Sequence, residues 1–151
     1  MPREEEEIRL SQSGRTTSGF CKIVLNRHQL LSLREIGIKR LSQEGERLIS
    51  IGSTLYNVSI LDSGFAEILA PDMGGQLQTV RAVAPGEILG LTETLAGAQC
   101  DFSVSSITEC VFTEIPREEL IRFLRTAPDT CFELVSMMAA AFIECMHGAS
   151  A

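Results

Sequence analysis

Glycines between Pro85 and Gly97 mark the stretch of this 151-residue chain best suited to hold a ligand. Gly86, Gly90 and Gly97 can turn the backbone through conformations closed to other residues, and they leave N–H groups accessible to an anion. Glu87 lies inside the stretch, and Leu91, Leu95, Asp101, Phe102 and Ser103 accompany it. Basic residues are missing here, since Arg81 is the last arginine before Arg117. Glu93 and Asp101 could be read as paired acids. With no nucleophile or metal partner beside them, they read as solvated loop carboxylates. Cys21, Cys100, Cys110, Cys131 and Cys145 form no close pair in sequence. Their spacing fits neither a zinc knuckle nor a redox pair, so they read as reduced, small apolar side chains. No catalytic residue, metal ligand or cofactor is assigned, and no enzyme activity is expected.

The elements that must position this stretch are short strands set between turns. Tyr56 to Leu61 reads as a strand, with Asp62-Ser63-Gly64 as its turn signal. Phe65 to Leu69 and Leu77 to Val83 flank a hairpin-like loop at Pro71 to Gly75, and Phe102 to Ile107 pairs with Cys110 to Ile115. Arg47 to Gly52 alternates weakly. Before Gly45, Gln29 to Leu41 fits a helical face in part, although Gly37 weakens it, and Phe20 to Leu25 is a short apolar lead. Residues 1–19 read as an acidic and polar tail. Residues 20–151 make one domain, and many short strands with Gly and Asp turns point to a sandwich or barrel.

Helices close the chain. Pro116 suits a first helical turn, with Glu118 and Glu119 placed where the helix dipole favours acids. A second start signal at Thr126 to Asp129 opens a long helix over about 129–146. Phe132, Val135, Ala139, Phe142 and Met146 step by three and four as a core-facing stripe, with Leu134, Met138, Ala141 and Cys145 as a second stripe. One domain needs only one face buried, so the other face predicts a two-fold dimer. Phe132, Val135, Met138, Ala139, Phe142 and Met146 are the expected interface.

Composition bounds the partners. A hydrophobic content of 44% supports a core, and a formal net charge of −7 argues against nucleic-acid binding by this chain. No apolar run approaches the ~18–20 residues of a membrane span. The N-terminus carries Glu4 to Glu7 where a signal peptide would need a basic start, so a cytoplasmic location is expected.

Tyr56 to Gly64, Pro85-Gly86-Glu87-Ile88-Leu89-Gly90-Leu91 and Ile115-Pro116-Arg117-Glu118-Glu119-Leu120, in this order, resemble the cyclic-nucleotide-binding sensor domain of Crp/Fnr-type regulators. The resemblance covers roughly 46–146. It implies a mostly β fold with flanking helices: a β-roll, or jelly-roll-like double-stranded barrel, followed by a short helix and a long dimerisation helix. It also implies a non-catalytic regulatory sensor, with Gly86, Glu87, Gly90, Leu91, Leu95, Asp101, Phe102 and Ser103 as the ligand-pocket candidates. In nucleotide-binding members an acid after the second glycine takes the ribose hydroxyl, and a later Arg pairs with the cyclic phosphate. Leu91 and Asp101 stand at those positions, so the usual clamp is not retained. Arg81 or a partner residue is left as a possible substitute. The family's iron–sulfur type clusters cysteines near its N-terminus, where this chain offers only Cys21. His28 and His147 make no haem ligand set. The family usually carries a helix-turn-helix domain after the long helix, so DNA contact is expected only through a domain absent from this chain. Three alternatives remain at this point: a cyclic AMP or GMP binder with an altered clamp, a ligand-free structural dimerisation module, and a cupin-like small barrel enzyme.

Overall fold

The computed structural model describes residues 21–150, so the expected tail at 1–19 lies outside the described residues. An extended lead runs from Cys21 to Asn26. It lies along the Glu87 segment: Leu25 N donates to Gly86 O at 3.0 Å and Ile88 N donates to Ile23 O at 2.9 Å. Asn26 then caps helix α1 (Arg27–Glu35). Its side chain accepts from Gln29 N at 2.8 Å, and Gln29 Oε1 accepts from Asn26 N at 2.9 Å. This reciprocal box satisfies two orphan donors and contributes about 1 kcal/mol.

The helix expected over Gln29 to Leu41 stops at Glu35, and Ile38–Ser42 is strand β1. Gly37 shows the reason. A Cβ there would stand 2.3 Å from Thr113 Cγ2, so the chain presses against its neighbouring strand at this point. Ile38 to Ser42 then pair in antiparallel register with Glu114 to Cys110.

Seven more strands follow: β2 (Arg47–Ile49), β3 (Asn57–Ser63), β4 (Ala66–Pro71), β5 (Leu77–Val83), β6 (Ile88–Leu89), β7 (Ser103–Ser106) and β8 (Cys110–Pro116). Helix α2 (Leu91–Ala96) lies between β6 and β7, and α3 (Arg117–Thr126) and α4 (Pro128–Ser150) end the chain. The strands form two four-stranded antiparallel sheets, ordered β1-β8-β3-β6 and β2-β7-β4-β5.

This corrects the expected mostly β barrel. The fold is a mixed one of helices and two sheets, and the sheets do not close. Helical residues outnumber strand residues among the described residues. Each sheet keeps two edges, and two of the edge strands are too short to carry a ladder onward. β6 has two residues, and β2 has three with a register slip between Arg47 and Ile49. Short, irregular edges of this kind resist further pairing.

Two apolar clusters result. Leu61, Ile68, Val83, Leu89, Phe102, Val104 and Phe112 fill the space between the sheets. Val58, Ile60, Ile88, Leu91 and Ile115 pack instead with the lead and the helices, against Leu33, Leu120, Leu134 and Ala141. Strand β3 is thus buried on both faces, as its unbroken Val58 to Leu61 run suits. Near the end of the same strand, Asp62 collects three donors. Arg34 Nε, Lys39 Nζ and Thr113 Oγ1 each donate to its carboxylate at 2.7 Å. Partial burial alone would raise the Asp62 pKa, but hydrogen bonds from Lys39 and Thr113 and the charges of Arg34 and Lys39 outweigh it. The net shift is below the ordinary value of 3.8.

Helix α4 packs on the domain by the stripe read as its second. Leu134 and Ala141 are buried, and Met137 and Met138 pack against the helix-side cluster. Phe132, Val135, Ala139, Phe142 and Met146, expected to face the core, are exposed, Phe132 at 73%. Periodicity showed two apolar stripes without showing which one the sheet would cover. Gln29 decides the rotation: it is 1% exposed and its Nε2 donates to Glu133 Oε2 at 2.7 Å, pinning α4 to α1. Over Pro128–His147 this helix is also long and apolar enough to cross a membrane, with a mean hydropathy of 1.2. The expectation that no run approaches that length counted uninterrupted apolar residues. Asp129, Glu133 and Glu144 interrupt the run but leave its average high.

Candidate ligand pocket

The turn between β5 and β6 builds the first wall of the pocket. Gly86 takes a φ of +85°, its N–H donates to Leu61 O at 2.8 Å, and Glu87 is thereby turned inward. Glu87 is fully buried. Arg81, on β5, meets it in a two-pronged pair: Nη1 donates to Oε1 at 3.0 Å and Nη2 to Oε2 at 2.6 Å. Ala84 N also donates to Oε1 at 3.0 Å. A fork-to-fork pair of this type is strong and directional. The cation that could have substituted in a phosphate clamp is engaged by the protein's own carboxylate.

The second wall is the start of α2. Gly90 caps it with a φ of +76°, where an added Cβ would stand 2.6 Å from Leu55 Cδ1. Leu91 follows directly and is 2% exposed, so its side chain belongs to the helix-side core. Arg81, Glu87, Gly90, Leu91 and Phe102 surround a cavity of only about 20 Å³. That is room for roughly one water, against the ~300–1,000 Å³ of typical small-molecule sites.

A much larger space adjoins this cavity along α2 and shares Cys21, Ile23, Thr92 and Glu93 with it. A groove of about 440 Å³ runs between α2, the lead and α4, lined by Ile23, Thr92, Glu93, Ala96, Ala98, Gln99, Asp101, Met138 and Phe142, with Cys21 at its edge. Its walls are largely apolar, with two carboxylates and an amide among them. Helix α2 is held at Thr94 from two directions. Thr94 Oγ1 donates to Asn57 O at 3.1 Å, while Arg117 Nε donates to Thr94 O at 2.9 Å. A cation at a helix C-terminus satisfies the last carbonyls and the dipole. Arg117 opens α3, so α2 is coupled to the segment that leads into α4.

The eight candidate residues are divided by this geometry. Glu87, Gly90, Leu91 and Phe102 line the small cavity, and Asp101 lines the groove. Gly86, Leu95 and Ser103 line neither; Ser103 is fully buried and its Oγ accepts from Ile51 N at 2.9 Å. Glu93 is 6% exposed, which corrects its reading as a solvated carboxylate. Asp101 is exposed, as read. Arg81's role as partner of Glu87 was missed, although a strand-turn-strand spacing of six residues was a usable signal. Ile23, Ala96, Ala98 and Gln99 had no sequence signal as lining residues, and Met138 and Phe142 were assigned to the helix stripes and the dimer face.

The cysteine reading also needs correction. Cys21 and Cys145 are joined in a disulfide with their Cα atoms 5.9 Å apart. The pair is separated by 124 positions, beyond the reach of spacing rules. Cys100 and Cys110 are buried, as expected of small apolar side chains. Burial pushes the Cys100 thiol up to about 12, and the nearby Glu93 and Asp101 charges add to the rise, although the hydrogen bond to Phe102 O opposes it. Among the described residues no group of three or more His, Cys, Asp and Glu side chains is placed to hold a metal.

The sequence matches the family model described as the cyclic nucleotide-binding domain over residues 39–127. This chain belongs to the cyclic nucleotide-binding domain family. Solved structures agree on the fold of this cyclic nucleotide-binding-type domain. The catabolite activator protein of Thermus thermophilus superposes with a TM-score of 0.71 at 20% identity, covering 80% of this chain and 56% of that one. A transcriptional regulator of Thermotoga maritima gives a TM-score of 0.71 at 15% identity, with 78% and 92% covered. CprK in complex with o-chlorophenolacetic acid gives a TM-score of 0.64 at 14% identity, with 85% and 51% covered. No curated protein matches the chain. The family's name implies a cyclic nucleotide, and the residues present do not fit one. Leu91 fills the space where a ribose-binding acid is expected, Asp101 presents a negative charge where a phosphate-binding Arg is expected, and Arg81 is committed to Glu87.

Proposed function

We propose that this chain is the non-catalytic sensor domain of a Crp/Fnr-like transcription regulator, and that its effector is not a cyclic nucleotide. The observation that carries this reading is the contrast in volume. The family pocket is reduced to about 20 Å³ by Leu91 and the Arg81–Glu87 pair, while about 440 Å³ stands open between α2 and α4. The effector in this reading is a small, largely apolar molecule seated in that groove. The bound ligand of CprK shows that a related fold accepts a molecule other than a nucleotide.

The mechanism is a population shift. A ligand between α2 and α4 favours those positions of α4 that widen or narrow the groove, and differential affinity for the two sets the response. Residues 20–151 act as one unit, with α4 as its output. Two copies associate through the exposed stripe of Phe132, Val135, Ala139, Phe142 and Met146, Met138 lying partly buried at its margin. A second helix is the fitting cover for this face, because the apolar stripe repeats at coiled-coil spacing. The location is cytoplasmic, and DNA contact belongs to a segment outside this chain, since a net charge of −7 offers no surface to replace counterions.

A thermal-shift panel tests the reading. Cyclic AMP and cyclic GMP are compared with small aromatic acids, fatty acids and amines. Stabilisation by a non-nucleotide compound, lost on Ala96→Trp in the groove wall, is the expected result. Stabilisation by a cyclic nucleotide alone would overturn it.

A further inference from the structure

Two sulfurs that are 124 positions apart in sequence meet beside the groove. Cys21 lies on the lead and borders both the small cavity and the groove. Cys145 lies on α4, three positions from Phe142 and one from Met146. Both are half-buried, and their Cα separation of 5.9 Å lies in the usual range for bridged cysteines. The other cysteines differ in placement. Cys100 and Cys110 are sealed in the inter-sheet core, and Cys131 sits near the opposite end of α4.

What the bond joins is as informative as its geometry. The lead is anchored to the Glu87 segment by the Leu25–Gly86 and Ile88–Ile23 backbone bonds and a bridge between Val24 and Glu87. A bond from Cys21 to Cys145 therefore ties the pocket-forming segment directly to the far half of α4. That half carries the exposed Phe142 and Met146 and forms a wall of the groove. In a reducing compartment a disulfide is transient and redox-sensing more often than structural.

We propose that Cys21 and Cys145 are a reversible thiol–disulfide modification site, oxidised by peroxide, that clamps the far half of α4 to the lead. One thiolate attacks a peroxide oxygen, giving a sulfenic acid and releasing hydroxide. The second thiol's sulfur then attacks the sulfenic sulfur, forming the S–S bond and releasing water once the protons are counted. The net change is two thiols and one hydrogen peroxide to one disulfide and two waters. A low-molecular-weight thiol reverses the clamp through a mixed disulfide and is itself oxidised. The bond and its effect on α4 stand on this chain's geometry alone; its control of effector access rests on the groove reading above.

The test compares the purified chain in thiol-reduced and peroxide-treated forms by peptide mapping, hydrogen exchange and melting. Peroxide should yield a linked peptide containing Cys21 and Cys145, with two fewer titratable thiols. Exchange across 138–147 should slow, and melting should rise by ~5 °C or more, on the scale of a bridge that closes a long loop. Cys145→Ser should abolish all of these changes, and Cys131→Ser should abolish none. Absence of the linked peptide after peroxide, or a linked peptide with unchanged exchange in α4, would overturn the proposal. So would a peroxide effect that depends on Cys131. None of these readouts involves an effector, so they separate failure of the clamp from failure of the groove reading.

Discussion

The two sides of helix α2 are a pair of opposites. On its sheet side, a carboxylate, a guanidinium and a leucine fill the space around Gly90, leaving about 20 Å³. On its α4 side, small residues at Ala96 and Ala98 leave about 440 Å³ open. The same backbone turn serves both. Gly86 and Gly90 hold positive φ values there, and on the sheet side the side chains hung on that frame bind one another.

Substitutions can break each side separately. The largest effect is expected from Arg81→Ala, which leaves the fully buried Glu87 carboxylate without its cation. Unfolding in urea should show a loss of ~3–5 kcal/mol, with much of it recovered when Glu87→Leu is added. A loss under ~1 kcal/mol would mean that the pair does not hold the filled side together. Next is Leu91→Ala, expected to cost ~2–5 kcal/mol by opening a cavity in the helix-side core. It should confer no cyclic-nucleotide binding, because Arg81 stays paired and Asp101 stays negative.

On the exposed face of α4, Phe132→Glu should weaken self-association by ~30-fold or more in sedimentation equilibrium, as for a buried aromatic anchor. The melting point of the monomer should barely move, since Phe132 is 73% exposed in the single chain. A lowered monomer melting point would instead make Phe132 part of the domain's own core.

The smallest effect concerns Asp62, remote from both sides. Its folded pKa lies below the ordinary 3.8, so its stabilisation is full above that value and is lost as pH falls through the folded one. Asp62→Asn should therefore be less stable than wild type at neutral pH, by ~1 kcal/mol or less given the exposure of Lys39. The gap should close on acidification below pH ~4. A gap that stayed constant through acid pH would locate the effect in packing.

The sequence made the filled side easier to read than the open one. Local turn chemistry marked Gly86 and Gly90, and the family pattern then exposed Leu91 and Asp101 as departures. The Arg81–Glu87 pair escaped because recognising it requires the β5–β6 turn to be folded first. Strands β3, β4, β5, β7 and β8 were legible within a residue or two, because polar turns bound them. Strand β1 was lost in an over-long helix that holds only to Glu35, because Leu30, Leu33 and Leu41 match a helical period and tertiary crowding at Gly37 ends it. The closed barrel failed for a related reason, since alternation does not reveal that β2 and β6 are too short to extend their sheets. The groove and the Cys21–Cys145 bond depend on how α4 lies against the lead, a contact between the two ends of the chain that no local pattern encodes.

In the proposed reading the protein itself fills the family's ligand site. Titration calorimetry of the purified chain with cyclic AMP and with cyclic GMP tests it most directly. No saturable heat is expected for either nucleotide. Saturable one-to-one binding of either would contradict it, since it would require Arg81 to leave Glu87 and Leu91 to leave the core.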